Sequence, residues 1–211
     1  MTADPFGTLG RALWLGGAQW AGKSTVARLL AERHGLTAFH YDYQGLRAHH
    51  ERDLLRRLRR GLPEIDDEQR WVTTTPEEMA AEVLGGFPDR FEWTLDDLRS
   101  LVSPRPILVE GWGLRPELVV PAFGAERMVV LVPTEEFRDR QVRELPRAGS
   151  LGVPVSDPER AQRNRLARDR LVAADAVRRA REFGVPVIEV DGTRDAEGIA
   201  DEVQARFSRF L

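Results

Sequence analysis

The sequence predicts an α/β fold, in which parallel strands alternate with covering helices, and three observations carry that prediction. Short apolar runs recur along the chain at Ala12–Leu15, Pro106–Glu110 (PILVE), Met128–Val132 (MVVLV) and Val185–Val190 (VPVIEV). Their continuous apolar character suits strands buried on both faces. Helical segments separate the runs, which is the signature of a doubly wound layered sheet.

Each element has a local reason. The first strand, Ala12–Leu15, enters a loop at Gly16-Gly17. Thr25–His34 follows as a helix, with Val26, Leu29 and Leu30 as its apolar positions and Gly35 as its stop. Leu36–Tyr41 is a second strand ending at Asp42. From Tyr43 to Ser103 the pattern is helical and polar, with breaks expected at Gly61-Leu62-Pro63 and Gly85-Gly86-Phe87-Pro88. Thr75-Pro76-Glu77-Glu78 and Thr94-Leu95-Asp96-Asp97 read as helix starts, because each sets a capping hydroxyl before first-turn acids. Beyond the third strand, helices are expected over Glu135–Leu145, Pro158–Phe183 and Asp195–Phe210. No repeat or low-complexity linker intervenes, so one domain over 1–211 is expected.

Composition narrows the function classes. The 211 residues include 31 Lys or Arg, 34 Asp or Glu and no Cys, for a net charge of −3. A duplex-DNA binder needs a net basic footprint, so no duplex nucleic acid partner is expected. Without cysteine there is neither a disulfide nor a thiolate zinc site, which suits a reducing cytoplasm. No apolar run approaches the ~20 residues needed to span a bilayer, and Met1–Gly10 lacks a signal-peptide core. The expectation is a cytoplasmic protein with no membrane partner. Among the basic residues Lys23 is the only lysine. Coding bias in a GC-rich genome explains an excess of arginine; a lone lysine against that background marks a place where arginine does not substitute.

That place is a motif. Gly17-Ala18-Gln19-Trp20-Ala21-Gly22-Lys23-Ser24 matches G-x-x-x-x-G-K-[ST], the Walker A or P-loop pattern. Such a loop wraps backbone N–H groups around phosphate oxygens, its glycines supply the torsions, and the following helix aims its positive end at the anion. Lys23 is expected at the β- and γ-phosphates, Ser24 on Mg²⁺ and Thr25 at the α-phosphate. A compact ammonium fits inside this cradle where a planar guanidinium does not. The N-K-x-D motif of GTPases is absent, since the one asparagine, Asn164, precedes Arg165. ATP and Mg²⁺ are therefore the expected cofactors.

With strand, P-loop, Asp-ended second strand and arginine-rich late helix in view, the sequence resembles the P-loop kinases. These include nucleoside monophosphate, shikimate and uridine kinases and the chloramphenicol phosphotransferases. The resemblance covers the layout of nearly the whole chain; only the P-loop matches as a motif, and residues 43–103 match none. It implies a three-layer P-loop NTPase fold with a five-stranded parallel sheet ordered 2-3-1-4-5. It also implies a helical acceptor-binding cap over 43–103 and a lid over 144–162.

The resemblance further implies that Asp42 takes the acceptor proton or orients the acceptor, the alternative being a helix N-cap. Glu110, at the Walker B position, is implied to hold a water of the Mg²⁺ shell or to bind the acceptor. Trp112 either stacks on a ring substrate or packs as a wall. Kinases of this type bring arginines in on the lid. Here Arg140, Arg143, Arg147, Arg160 and Arg163 flank it, with Arg147 and Arg163 the first candidates for the γ-phosphate. Gly192 and Thr193 lie beside the adenine or form a turn capped by Asp191. The run Arg56-Arg57-Leu58-Arg59-Arg60 is a solvated face or a site for an anionic acceptor, and the four histidines read as surface residues. The function expected is a Mg·ATP-dependent kinase acting on a hydroxyl or phosphate of a small-molecule acceptor. The alternatives are a nucleoside or nucleotide kinase, with Trp71, Trp93 or Trp112 stacking a base, and a nucleotide-gated regulatory protein with slow ATPase activity.

Overall fold

The computed structural model describes residues 4–62 and 65–211. Strands β1 (Ala12–Gly17), β2 (Thr37–His40), β3 (Ile107–Glu110), β4 (Met128–Pro133) and β5 (Val187–Val190) are all parallel and lie in the order 2-3-1-4-5. β1 takes the centre because each of its residues is apolar or glycine, and all are buried.

Strand alternation builds two cores. Trp14, Ile107, Val109, Met128 and Val130 face one way, and Leu13, Leu15, Leu108, Val129 and Leu131 the other. The second face is covered by α1 (Lys23–His34) and by α9 (Ala196–Phe207), which Asp195 caps. The first face is covered by α4 (Pro76–Ser100), α5 (Pro116–Phe123) and α8 (Pro158–Glu182). There the Trp14 ring lies between Phe91 of α4 and Phe123 of α5, at 5.7 and 4.9 Å. Arg115, 1% exposed at the start of α5, is ion-paired with Asp175 of α8. The smaller elements are α2 (Tyr41–Gly45), α3 (Ala48–Arg59), a π-helical turn over Gln69–Thr73, α6 (Glu135–Glu144) and α7 (Pro146–Gly149). No helix among the described residues is long and apolar enough to cross a membrane.

Three local expectations are corrected. β2 ends at His40 rather than Tyr41, because β3, its only partner among the described residues, ends opposite it at Glu110. The chain therefore turns into α2, which carries Asp42 in its first turn. The break expected at Gly85-Gly86-Phe87-Pro88 and the second start at Thr94 are absent, since α4 runs unbroken for 25 residues. Phe87, Phe91, Leu95 and Leu98 form one buried stripe along it. Burying each is worth ~1.5–3 kcal/mol, which outweighs about 1 kcal/mol per glycine and ~3 for the proline. Thr94, in mid-helix, turns its hydroxyl back to the Arg90 carbonyl at 2.8 Å. The start at Thr75 holds, as a reciprocal capping box with Glu78. The break at Gly61 also holds, while Pro63 lies outside the described residues. Finally, α5 has no counterpart among the expected elements; two prolines obscure it, yet Pro116 sits in the first turn, where no N–H is needed.

Candidate active site

The carboxyl ends of β1, β2 and β3 converge on one cleft of about 400 Å³, lined among others by Trp20, Lys23, Ser24, Asp42, Arg90 and Trp112. This is where open α/β sheets place their ligands. The loop Gly17–Gly22 bridges β1 and α1. It is fixed to the sheet by the Ala18 N–H, which donates to Leu131 O at 2.9 Å. Gly17, Trp20 and Gly22 all have positive φ, at 123°, 66° and 76°. Lys23, 5% exposed, donates from Nζ to Ala18 O at 2.7 Å, so two of its three N–H donors remain for another acceptor.

Two carboxylates stand beside the loop. Glu110 is 2% exposed; its Oε1 accepts from the Ser24 hydroxyl at 3.1 Å and is also ion-paired with His40 Nδ1. Its Oε2 is buried and has no hydrogen-bond partner among the described residues. Asp42 Oδ1 accepts the Trp112 N–H at 3.1 Å, so the loop after β3 holds the side chain from α2. Burial pushes both carboxyls above their ordinary values, against the attraction of Lys23. A loop with a buried ammonium suits a polyphosphate. A hydroxyl beside a carboxylate with one free oxygen suits a hydrated divalent cation. The residues present fit Mg·ATP on both counts.

The arginines sort by geometry. On α8, Arg165 is largely buried, donates to Ala148 O at 2.7 Å and Ser150 O at 3.2 Å, and stands 5.6 Å from the Trp20 ring centre. One turn on, Arg168 lies 5.2 Å from the Trp71 ring and 5.3 Å from the Trp112 ring, paired with Asp169 at 2.6 Å. Asn164 Nδ2 donates to the carbonyls of Trp71 and Val72, at 3.0 and 3.4 Å. Of the two expected lid arginines, Arg163 is exposed, pairs with Glu159 at 3.6 Å, and lines a separate 460 Å³ hollow over residues 149–163. Arg147 belongs to α7, and its side chain lies outside the described residues. Gly192 lies against Arg140 and Phe137, and Thr193 closes a turn on Asp191 through its N–H and hydroxyl, at 2.8 and 2.7 Å.

Histidine is corrected at one position. His49 is fully buried, with Nε2 2.8 Å from Asp97 Oδ2, whereas His40 is exposed as expected, although it stands over Glu110. Composition offered no signal for these, nor for Arg90, Arg165 or Arg168 among thirty arginines.

No protein-family model matches the chain, and no curated protein sequence does. Solved structures do match. A gluconokinase from Sinorhizobium meliloti is 19% identical, over 94% of this chain and 91% of that one, with a TM-score of 0.45. A shikimate kinase from Acinetobacter baumannii is 20% identical, over 95% and 94%, with a TM-score of 0.49. A shikimate kinase from Bacteroides thetaiotaomicron is 15% identical, over 93% and 98%, with a TM-score of 0.50. The all-parallel 2-3-1-4-5 sheet, the loop at the end of its central strand and the Bacteroides match identify the fold as that of the P-loop kinases.

Proposed function

We propose that the protein is a Mg·ATP-dependent kinase that phosphorylates a hydroxyl of a small-molecule acceptor. One observation carries this reading: Asp42, held by the Trp112 N–H, lines the same cleft as Lys23 and Ser24. A candidate base and a phosphate cradle thus share one small space. The nucleotide supplies the γ-phosphoryl group and its Mg²⁺ neutralises developing charge. The loop N–H groups and Lys23 would hold the phosphates, while Ser24 and Glu110 are the residues that would hold the hydrated metal. The acceptor hydroxyl gives its proton to Asp42 as its oxygen bonds to the γ-phosphorus and the bond to the bridging oxygen breaks, releasing ADP. Burial makes Asp42 a stronger base than an exposed carboxylate. Arg165 joins the lid carbonyls to the P-loop Trp20, so lid closure and phosphate binding are coupled through it. Gly192 and Thr193, with Arg140 and Phe137, form the adenine side.

The acceptor is better read as a non-nucleoside. Arg168 fills the space between Trp71 and Trp112, and Trp93 packs edge-on against His49. Each of the three rings thus already has a protein partner on one side, which weakens the case for base stacking.

The test is ATP consumption by the purified protein with Mg²⁺, with and without a broad panel of hydroxylated acceptors. Weak basal hydrolysis and at least ~10-fold stimulation by one acceptor class are expected, since a closed site excludes water. Lys23→Ala should lose both activities with an unchanged melting curve. A fully active Lys23→Ala variant would sink the kinase reading. Turnover that no acceptor stimulates would favour a nucleotide-gated switch.

A further inference from the structure

We infer that Arg90 is the counter-ion for an anionic group on the acceptor, so that the substrate is a hydroxyl-bearing carboxylate or phosphate rather than a neutral sugar or alcohol. The inference rests on the kinase reading and narrows it.

Arg90 projects from α4 into the 400 Å³ cleft, beside Tyr41, Asp42, Leu46 and Trp112. Its direction is fixed by its own helix, because Phe87 and Phe91 on either side are locked into the core, at 1% and 4% exposed. Three other arginines of this segment are ion-paired. Arg52 pairs with Asp97, Arg56 with Asp53 and Asp89, and Arg99 with Asp96. Arg90 is half-buried, yet among the described residues no carboxylate lies within 4.0 Å of it and its guanidinium makes no hydrogen bond. It lies near enough to Asp42 to favour that carboxylate's charge, and the Asp42 Oδ1 is already held by the Trp112 N–H.

Withdrawing a guanidinium from water is costly unless an anion replaces the lost hydration. A wall of the candidate site is where that anion would arrive with a ligand. The planar fork suits carboxylate and phosphate, which it can bind through two parallel hydrogen bonds. The ligand in question is the acceptor, not the nucleotide. Arg90 belongs to the segment between β2 and β3, next to the candidate base, whereas Gly192 and Arg140 follow β5 and β4 at the far side of the sheet. An acid whose charge sits on Arg90 would present a hydroxyl towards Asp42 within the same cleft.

The experiment is direct binding by calorimetry, in the presence of Mg²⁺ and a non-hydrolysable ATP analogue. The carboxylate probes are glycerate and gluconate, the phosphate probe is glycerol 3-phosphate, and the neutral ones are glycerol and glucose. Wild type is compared with Arg90→Gln and Arg90→Lys. At least one charged probe should bind wild type and the neutral ones should not, and the carboxylate and phosphate probes separate the two anion sources. Arg90→Gln should weaken that binding by about 10- to 100-fold, the size expected for charged hydrogen bonds. Arg90→Lys should fall between, and analogue affinity should change by less than about 2-fold. Arg90→Gln should melt within about 4 °C of wild type, since among the described residues the charge it removes has no ion-paired or hydrogen-bonded partner. Neutral probes binding as well as charged ones, undiminished binding in Arg90→Gln, or no binding by any charged probe would overturn the inference. Stimulation of turnover by a neutral alcohol would do the same while leaving the kinase reading intact.

Discussion

Gly17→Ala and Gly22→Ala should separate two demands that the P-loop makes on its glycines. Gly17 has φ of 123°, far outside the narrow left-handed basin that other residues can enter. A Cβ there would stand 2.7 Å from Leu131 N and 2.8 Å from its carbonyl carbon, and closer still to Leu131 O. That oxygen already accepts the Ala18 N–H, and the whole obstruction is main chain of β4, which cannot swing aside. Backbone strain of about 2 kcal/mol and overpacking of ~2 kcal/mol give a loss near 4 kcal/mol, or roughly 8–16 °C in melting temperature for a domain of this size. Gly22 differs: φ is 76° and nothing lies within 4 Å of where its methyl would stand, so only the left-handed penalty of about 1–2 kcal/mol applies. Thermal and urea unfolding followed by circular dichroism would rank the two. Equal losses, or a Gly17→Ala loss below about 1 kcal/mol, would refute the claim that β4 packs directly on the loop.

Asp42→Asn should lower turnover by about 10²–10⁴-fold, the range for a lost general base. It should also melt higher than wild type at pH 7. An acid whose folded pKa is raised binds more protons folded than unfolded between its ordinary and raised values, so its ionisation costs stability above that window and nothing below it. The advantage of Asn should therefore vanish as pH falls to about 4, and full activity with a lowered melt would contradict the assignment. Arg115→Leu should cost about 3 kcal/mol in urea unfolding, the low end for breaking a buried pair because Asp175 keeps Arg178. Adding Asp175→Leu should recover most of that loss, and no recovery would show that the pair is not the source.

How much of this was legible in the chain depended on whether the information is contiguous. The P-loop is eight successive residues with fixed chemistry, and Glu110 follows the last apolar residue of a strand, so both could be read directly. Asp42 was placed by the same strand-end logic, although β2 stops two residues short of it for want of a partner. The unbroken α4 was not legible, because Gly85, Gly86 and Pro88 argue locally for a break while the stripe from Phe87 to Leu98 acts only when the sheet is there to receive it. The same holds for arginine. Nothing in thirty similar residues distinguishes Arg163, exposed beside Glu159, from Arg165, buried against the carbonyls of Ala148 and Ser150 two positions later. That difference arises from which side of α8 faces the P-loop, a property of packing rather than of neighbours in sequence.

The lone lysine has a chemical consequence outside catalysis. With one ε-amine in the whole chain, and that amine buried and bonded to Ala18 O, acylating or cross-linking reagents aimed at lysine have a single internal target. Their rate of attack there would measure how often the loop opens. The site would be self-reporting, with no engineered probe, and a bound polyphosphate would shield it.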